Sequence, residues 1–326
     1  MLKNLGRRSL EFGITFLLAI SINFFLPRAV PGDPLQLIAG NAVPQLGAAR
    51  IEALRHEYGL DKPLGEQYLI YLGRLARVDL GQSFRYSGGR SVLQVLNDNF
   101  RWTLLLVGVS LGAALVLGSA LGIWAAVRRG RSEDLGLLAG IFILRSIPPF
   151  WLAMLLVPIF AIQLHWLPAG DSYSIPRLHG WENVADVARH GLMPAVVLTL
   201  AYLPTAFVNM RASMFGILDS DYIRTARAKG VPGTGVILKH GLRNALLPVV
   251  TAFTLDLGQL LGGVTVIEAV FNYRGIGSMM FEAVKSRDYP LLQGGFLLFT
   301  VIILLINIIT ELLYPLLDPR LRRAAK

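Results

Sequence analysis

Hydrophobic and polar positions fall along this chain in long blocks, not in a short alternation. Six apolar blocks reach or exceed the ~18–20 residues a helix needs to cross a bilayer core. They run from about Leu10 to Pro27, Trp102 to Val127, Leu135 to Leu164, Leu192 to Met210, Ala245 to Val266 and Leu291 to Leu313. Hydrocarbon offers no partners for backbone N–H and C=O groups, so each block predicts a helix. The second block carries no charge. The third encloses Arg145 and the pair Pro148-Pro149, and the fourth holds Pro194 and Pro204. The fifth holds Asp256, and the sixth has Asn307 and Glu311 late in it.

Shorter patterns fill the longest gap between blocks. "ARIEALRHEYG" places Ile51, Leu54 and Tyr58 on one helical face and ends on Gly59. "PLGEQYLIYLGRLARVDLG" opens on Pro63 and stripes Leu64, Tyr68, Tyr71, Leu72 and Leu75. "SVLQVLNDNF" repeats the pattern just before the second block. The expected fold is all-α: a polytopic membrane protein with six transmembrane helices and a helical extracytoplasmic subdomain between the first and second. The expected divisions are residues 1–27 (N-terminus and first span), 28–101 (outer segment), 102–316 (five-helix core, with a loop over 211–244) and 317–326 (tail). The outer segment's apolar faces suit packing on the bundle or docking of a soluble partner.

Composition agrees with the blocks. Hydrophobic residues make up 54% of the chain and charged residues 16%, against roughly 25% charged in soluble domains. The net charge of +10 does not indicate nucleic acid, because the basic residues cluster at block ends as membrane anchors do. With the N-terminus inside, inner segments carry sixteen Lys and Arg: Lys3, Arg7, Arg8, Arg128, Arg129, Arg131, Arg211, Arg224, Arg227, Lys229, Lys239, Arg243, Arg320, Arg322, Arg323 and Lys326. The two short outer loops carry five: Arg177, Arg189, Arg274, Lys285 and Arg287. Both termini and the 211–244 loop are therefore expected in the cytoplasm. The basic start followed by an apolar stretch resembles a secretory signal, but Pro27, Arg28 and Pro31 around Ala29 make a poor cleavage site, so an anchor is expected.

Chemistry of the chain's own is not indicated. There is no P-loop, no H-E-x-x-H and no G-x-S-x-G, and the five histidines lack ligand spacing. With no cysteine there is no thiolate metal site and no cysteine nucleophile. The pairs Gly108/Gly112, Gly118/Gly122, Gly136/Gly140 and Gly258/Gly262 have the spacing of tightly packed membrane helices. "RSIPPFW" and "LPTAF" are either fixed kinks or hinges. Arg145 and Asp256 are the deepest charges, each costing about 2.5–3.5 kcal/mol at a helix centre. Pairing across the third and fifth spans would offset much of that cost; otherwise Arg145 snorkels or lines water.

"DYIRTARAKG" (Asp221 to Gly230) stands apart. Asp219, Ser220 and Asp221 suit a helix N-terminus, and Arg227 and Lys229 suit the last turn. Gly230 suits a left-handed stop, and Pro232 blocks continuation. A solvated anchoring loop explains the charges, but not the caps, the small face at Thr225, Ala226 and Ala228, or the 34 residues from Arg211 to Asn244.

Here the chain resembles the inner-membrane permease subunits of ABC importers, in their peptide/nickel branch. The family signature reads Glu-Ala-Ala, three residues, then Gly; this chain has Arg224-Thr225-Ala226, Arg227-Ala228-Lys229, then Gly230. "VPGDP" (Val30 to Pro34), "YGLDKPLGEQYLIYLGRLARVDLGQSF", "SIPPFWLAMLL", "WLPAGD", "RDYPLLQG" and "LLDPRLR" extend the likeness over nearly the full length. The long outer segment resembles the first of two paired permeases. Two departures stand out: "EAVFNYRGIG" has Arg274 where the family has proline, and Asp256 replaces an uncharged residue.

The resemblance implies a subunit that forms half of a pathway for peptides or related small solutes, with no ATPase site or cofactor of its own. ATP would be bound by two cytoplasmic ATPase subunits. A second permease and an extracytoplasmic solute-binding protein would complete the complex in the lipid bilayer of the cytoplasmic (inner) membrane. Arg224, Thr225, Ala226 and Gly230 would carry the coupling contact, and Arg145, Asp256 and Glu268 are the candidate pathway residues. The rival reading is a self-sufficient secondary transporter using Asp256 as its intramembrane acid.

Overall fold

The computed structural model describes residues 2–29, 47–57, 60–83 and 89–317, with the backbone alone for the helical segments 2–9, 254–261 and 311–317 and for positions 27, 50, 54 and 57. "VPGDP", Tyr58, Gly59, the side chains of Leu54, Asp256 and Glu311, and the tail from residue 318 lie outside the described residues. The described chain is helical apart from turns, loops and one ribbon. Its helices are α1 (Leu2–Arg28), α2 (Ala48–Glu57), α3 (Leu64–Ala76), α4 (Val92–Val127), α5 (Ser132–Ser146) and α6 (Pro149–Leu156). They continue with α7 (Gly180–Leu218), α8 (Asp221–Ala228), α9 (Arg243–Val270), α10 (Ile276–Ser286) and α11 (Tyr289–Leu317). Stretches of π-helix, with i→i+5 bonding, extend α6 over Val157–Gln163 and lead into α9 over Val236–Leu242.

Each expected span falls on a helix, and the structure changes two of them. The third breaks into α5 and α6, which bend by 92° at Ser146–Pro149. Ile147 (φ −86°, ψ 120°) and Pro148 (φ −61°, ψ 134°) are extended. A proline drives its predecessor out of helical geometry, and two in a row do so twice. Pro149 then opens α6 at a first-turn position that needs no N–H. The fourth span, by contrast, runs as one helix through both Pro194 and Pro204. "LPTAF" is therefore continuous helix, and α7 reaches well beyond Leu192–Met210 at both ends. Among the described residues α4, α7 and Tyr289–Thr310 are each long and apolar enough to cross a membrane, the bent α5–α6 pair makes a fourth, and Leu10–Leu26 is a shorter apolar helix.

The chain forms two compact units. The first contains residues up to Thr103 and Arg274–Leu305. Its core joins Val92, Val95 and Leu96 of α4 to Ile276, Met279, Met280 and Ala283 of α10 and Leu291 of α11. "SVLQVLNDNF" forms the start of α4 and is not a separate helix. A ribbon precedes it, β1 (Gln82–Ser83) antiparallel to β2 (Arg90–Ser91). Asp288 is buried, accepts from Ser83 Oγ at 2.5 Å and from the Leu291 N–H at 3.1 Å, and so ties the ribbon to the start of α11. In α1, Phe24 lies against Tyr68 and Tyr71 of α3, with Arg28 3.8 Å above its ring.

The second unit, Leu104–Tyr273 with residues from Ile306, is built around α7. Ala114, Ala125, Ile141, Leu203 and Phe207 form one core; Ala126, Met210, Met214, Ala245 and Val249 form another. Gly118 and Gly122 are where α4 meets α7. A Cβ on Gly118 would lie 2.7 Å from Ala206 Cβ, and one on Gly122 2.7 Å from Phe207 O. The pairs Gly108/Gly112 and Gly136/Gly140 have nothing within 4 Å, so one small-residue pair is used inside this unit and two are not.

Candidate functional site

Helix α8 has eight residues, too few to persist alone in water, so it depends on what it packs against. Ser220 is its N-cap, with φ −74° and ψ 151°. The expected side-chain cap is not made: Ser220 Oγ donates back to Ile217 O at 2.5 Å. The Ser220 carbonyl instead receives the N–H groups of Ile223 and Arg224, both at 3.1 Å, as the first turn of α8, and the Ser220 N–H donates to Ile217 O at 3.0 Å, which ties that turn to the end of α7.

The other end fits the sequence reading closely. Gly230 has φ +79°, a conformation that costs a side-chain-bearing residue about 1–2 kcal/mol. The Val231 N–H reaches Ala226 O at 3.2 Å, and the Gly230 N–H reaches Arg227 O at 3.0 Å. These two bonds are a Schellman stop, with Val231 packed on the core that contains Ala226. Ile223 is 0% exposed, Ala226 7% and Val236 1%; together with Ile217 and Val231 they seat α8 on the π-helical stretch and the end of α7.

The outward face is polar and mainly cationic. Arg224, Thr225, Arg227, Ala228, Lys229 and Gly230 are exposed. Arg224 lies 3.6 Å from Asp221, and Thr225 Oγ1 donates to Asp221 O at 2.9 Å. Tyr222, 45% exposed, accepts from Asn244 Nδ2 at 3.1 Å. Of the expected coupling residues, Arg224, Thr225 and Gly230 face outward. Ala226 does not: it faces the chain's own core, because its register coincides with Ile223 at i−3.

Two of the three expected pathway residues have described side chains, and they stand on different helices, Arg145 on α5 and Glu268 on α9. Arg145 stands in the last turn of α5, exposed, where a cation suits the helix C-terminus. That is a helix end beside the break, not the middle of a continuous span. Glu268 is 0% exposed in the last turns of α9, with Phe271 and Tyr273 also buried just beyond, so it lines no open space in this conformation. The side chain of Asp256 lies outside the described residues, and its pairing with Arg145 stays an expectation.

Two arrangements escaped the sequence. The "WLPAGD" loop docks on the end of α9: the Asp171 N–H donates to Phe271 O at 2.9 Å, and Asn272 Nδ2 to Asp171 Oδ1 at 2.5 Å. A Cβ on Gly170 would stand 2.5 Å from Phe271 O, so only glycine permits the approach. Beside this loop a cavity of about 390 Å³ is bordered by His165, Trp166, Asp186, Arg189 and His190. Asp186 is already engaged by the Ser174 N–H and Oγ, each at 2.7 Å.

The second arrangement is an ion pair. Asp134, in the first turn of α5, is 1% exposed. Arg211 of α7 holds it with two bonds, Nε to Oδ1 at 2.6 Å and Nη2 to Oδ2 at 2.7 Å. The Gly130 N–H adds a third at 3.1 Å. The sequence reading took Arg128, Arg129 and Arg131 as membrane anchors, and no local pattern links Asp134 to a residue 77 positions away. Among the described residues no group of His, Asp and Glu could hold a metal ion.

Residues 118–323 match the model of the binding-protein-dependent transport system inner membrane component family, and residues 1–107 match the model of its N-terminal membrane component. The glutathione transport system permease protein GsiC of Pectobacterium atrosepticum is 39% identical over 323 residues, covering 99% of each chain. Its counterpart in Escherichia coli is 38% identical over the same length and coverage. A peptide permease protein of Brucella ovis is 37% identical over 320 residues, 96% of this chain and 97% of the relative. Among solved structures, an inward-facing MetNI methionine ABC transporter shares the fold, with a TM-score of 0.55 at 20% identity over 69% of this chain and 97% of that one. The chain belongs to the family of binding-protein-dependent transport system inner membrane components, as a permease subunit of the peptide/nickel branch of ABC importers.

Proposed function

We propose that this permease forms half of the pathway by which peptides or related small solutes enter the cell, and that α8 is its docking helix for a cytoplasmic ATPase. The observation that carries the reading is α8 itself. It is a short helix held from behind by Ile223 and Ala226, stopped at Gly230, and presenting Arg224, Thr225, Arg227 and Lys229 to solvent. A helix seated this firmly delivers a push from outside into α7 and α9, to which it is joined. Two ATPase subunits, a second permease and an extracytoplasmic solute-binding protein complete the complex, and ATP is bound by the ATPases. Six spans, cytoplasmic termini and an outer subdomain around α2 and α3 complete the architecture. Peptides follow from what the relatives are named for: glutathione in two, peptides in a third. Family membership favours this reading over a secondary transporter working through Asp256.

The test is co-purification. Expressed with the ATPase encoded beside it, the tagged chain should retain that ATPase. Gly230→Pro should abolish both retention and ATP-dependent uptake, because proline is fixed near φ −65° and Gly230 needs +79°. Unchanged uptake by that variant would overturn the docking role.

A further inference from the structure

The Asp134–Arg211 ion pair joins the start of α5 to α7 two turns before α7 ends. Both oxygens of Asp134 are engaged, and the guanidinium is bidentate, which fixes orientation as well as distance. The pair does not stand alone. Arg211 and Arg129 lie over the same Phe215 ring, at 4.2 and 4.7 Å. Arg129 also reaches Asp219 at 3.0 Å, in the turn between α7 and α8. The turn before α5 is thus tied to α7 at Arg211, at Phe215 and at the residue that leads into α8. A buried ion pair is weak evidence for stability, since apolar residues of the same volume often serve as well; its best-attested use is to fix register.

The register being fixed is that of α5 against the helix that carries α8. Helix α5 has fifteen residues, about 22 Å at 1.5 Å per residue. Its near end is the ion pair, and its far end is the 92° break at Ser146–Pro149. A rise or tilt of α8 is passed to Ile217 through the Ser220 bonds and the Ile223 seat. Arg211 then imposes it on Asp134, and α5 carries it to the break.

We infer that Asp134 and Arg211 are positioning residues that transmit movement of α8 along α5 to the break at Ser146–Pro149. This rests on the reading that α8 docks an ATPase. Removal of the pair should leave docking intact and disconnect the break from it.

The chain has no cysteine, so Ser146→Cys, at an exposed position beside the break, supplies a sole thiol. In the assembled complex in lipid vesicles, maleimide labelling of that thiol is timed with and without ATP and magnesium. With the pair intact, the two rates should differ by at least about fivefold, the lower end of coupling between sites. Asp134→Arg should shrink the difference below about twofold while the ATPase still co-purifies, and adding Arg211→Asp should restore most of it. Asp134→Asn, nearly the same in volume, should act like Asp134→Arg and serves if the charge reversal fails to accumulate. Equal rates in both states with the pair intact overturn the inference. So does a full difference in either Asp134 variant, or a double reversal no better than Asp134→Arg alone. Loss of the ATPase from the chain with its pair intact would instead refute the docking reading, which separates the two failures.

Discussion

Replacing Ile223 with alanine removes the main anchor of α8. Ile223 is fully buried against Ala226, Val236, Ile217 and Val231, and truncating a buried isoleucine typically costs about 2–5 kcal/mol. The long membrane helices do not depend on it. Helix α8, at eight residues, has no stability of its own to absorb the loss. The cost should therefore appear as local opening of Asp221–Val231 and not as global unfolding. Even ~2 kcal/mol is about a 30-fold change in the ratio of seated to open helix. Hydrogen exchange of the chain in nanodiscs reads this directly: amides over 221–231 should exchange at least about 10-fold faster in Ile223→Ala, while those of α7 before Arg211 stay unchanged. ATPase retention should fall with the seated fraction. Exchange that is unchanged over 221–231, or raised equally throughout α7, would refute the claim that this side chain seats the helix.

Gly118→Ala places a methyl 2.7 Å from Ala206 Cβ and 2.8 Å from Leu203 O, so it should destabilise the detergent-solubilised chain by about 1–3 kcal/mol, the range for overpacking. Gly108→Ala, with nothing within 4 Å, should be close to neutral in the same thermal-unfolding assay. Outside the spans, Asp79 has its carboxyl pushed up by partial burial, but the Gly81 N–H and the Arg74 guanidinium outweigh this and hold it below its ordinary 3.8. A depressed carboxyl contributes stability above its unfolded pKa and loses it as pH falls through the folded value. Protection factors at the end of α3, in which the pH dependence of the intrinsic exchange rate is divided out, should thus fall as pH drops below the range of an ordinary carboxylate. Because Asp79 is 52% exposed, the contribution should stay under about 1 kcal/mol, and Asp79→Asn should remove the pH dependence.

The parts of this fold legible in the sequence are those whose cause is local. Six apolar blocks fell on helices because lipid leaves the backbone no alternative. The stop at Gly230 was legible because the left-handed conformation and the proline two residues on are both local demands. The break at Ser146–Pro149 was half legible: the proline pair marked a kink or hinge, but nothing local to it gives the 92° of the bend. Helix α7 was underestimated because "GWENVADVARHG" is too polar for a span, yet it continues the same helix. The helix end at Arg145 was not legible for the related reason that a block of apolar residues hides an interior break. Asp134–Arg211 and Gly170–Phe271 were not legible, since each joins distant segments through tertiary structure alone.

The inward register of Ala226 also accounts for the departure at Arg224. Within "RTARAKG", Ala226 and Gly230 answer to the chain itself: one packs under the helix, the other ends it. Their residue types are set by space and backbone angle, whatever docks outside. Arg224 has no such obligation. It is exposed, its contact with Asp221 is a long one at 3.6 Å between exposed groups, and such a pair contributes little. An acid or a base at that position therefore changes the helix's stability little but reverses the charge it offers. With Arg224, Arg227 and Lys229 against Asp221 alone, the face is cationic, and on the docking reading its complement is an acidic groove. Complementary charge acts mainly on partner choice and encounter rate. Arg224→Glu should accordingly leave exchange over 221–231 unchanged while weakening ATPase capture, more so at low ionic strength than at high. The converse, a loosened helix with capture intact, would place Arg224 among the seating residues and remove it from the docking face.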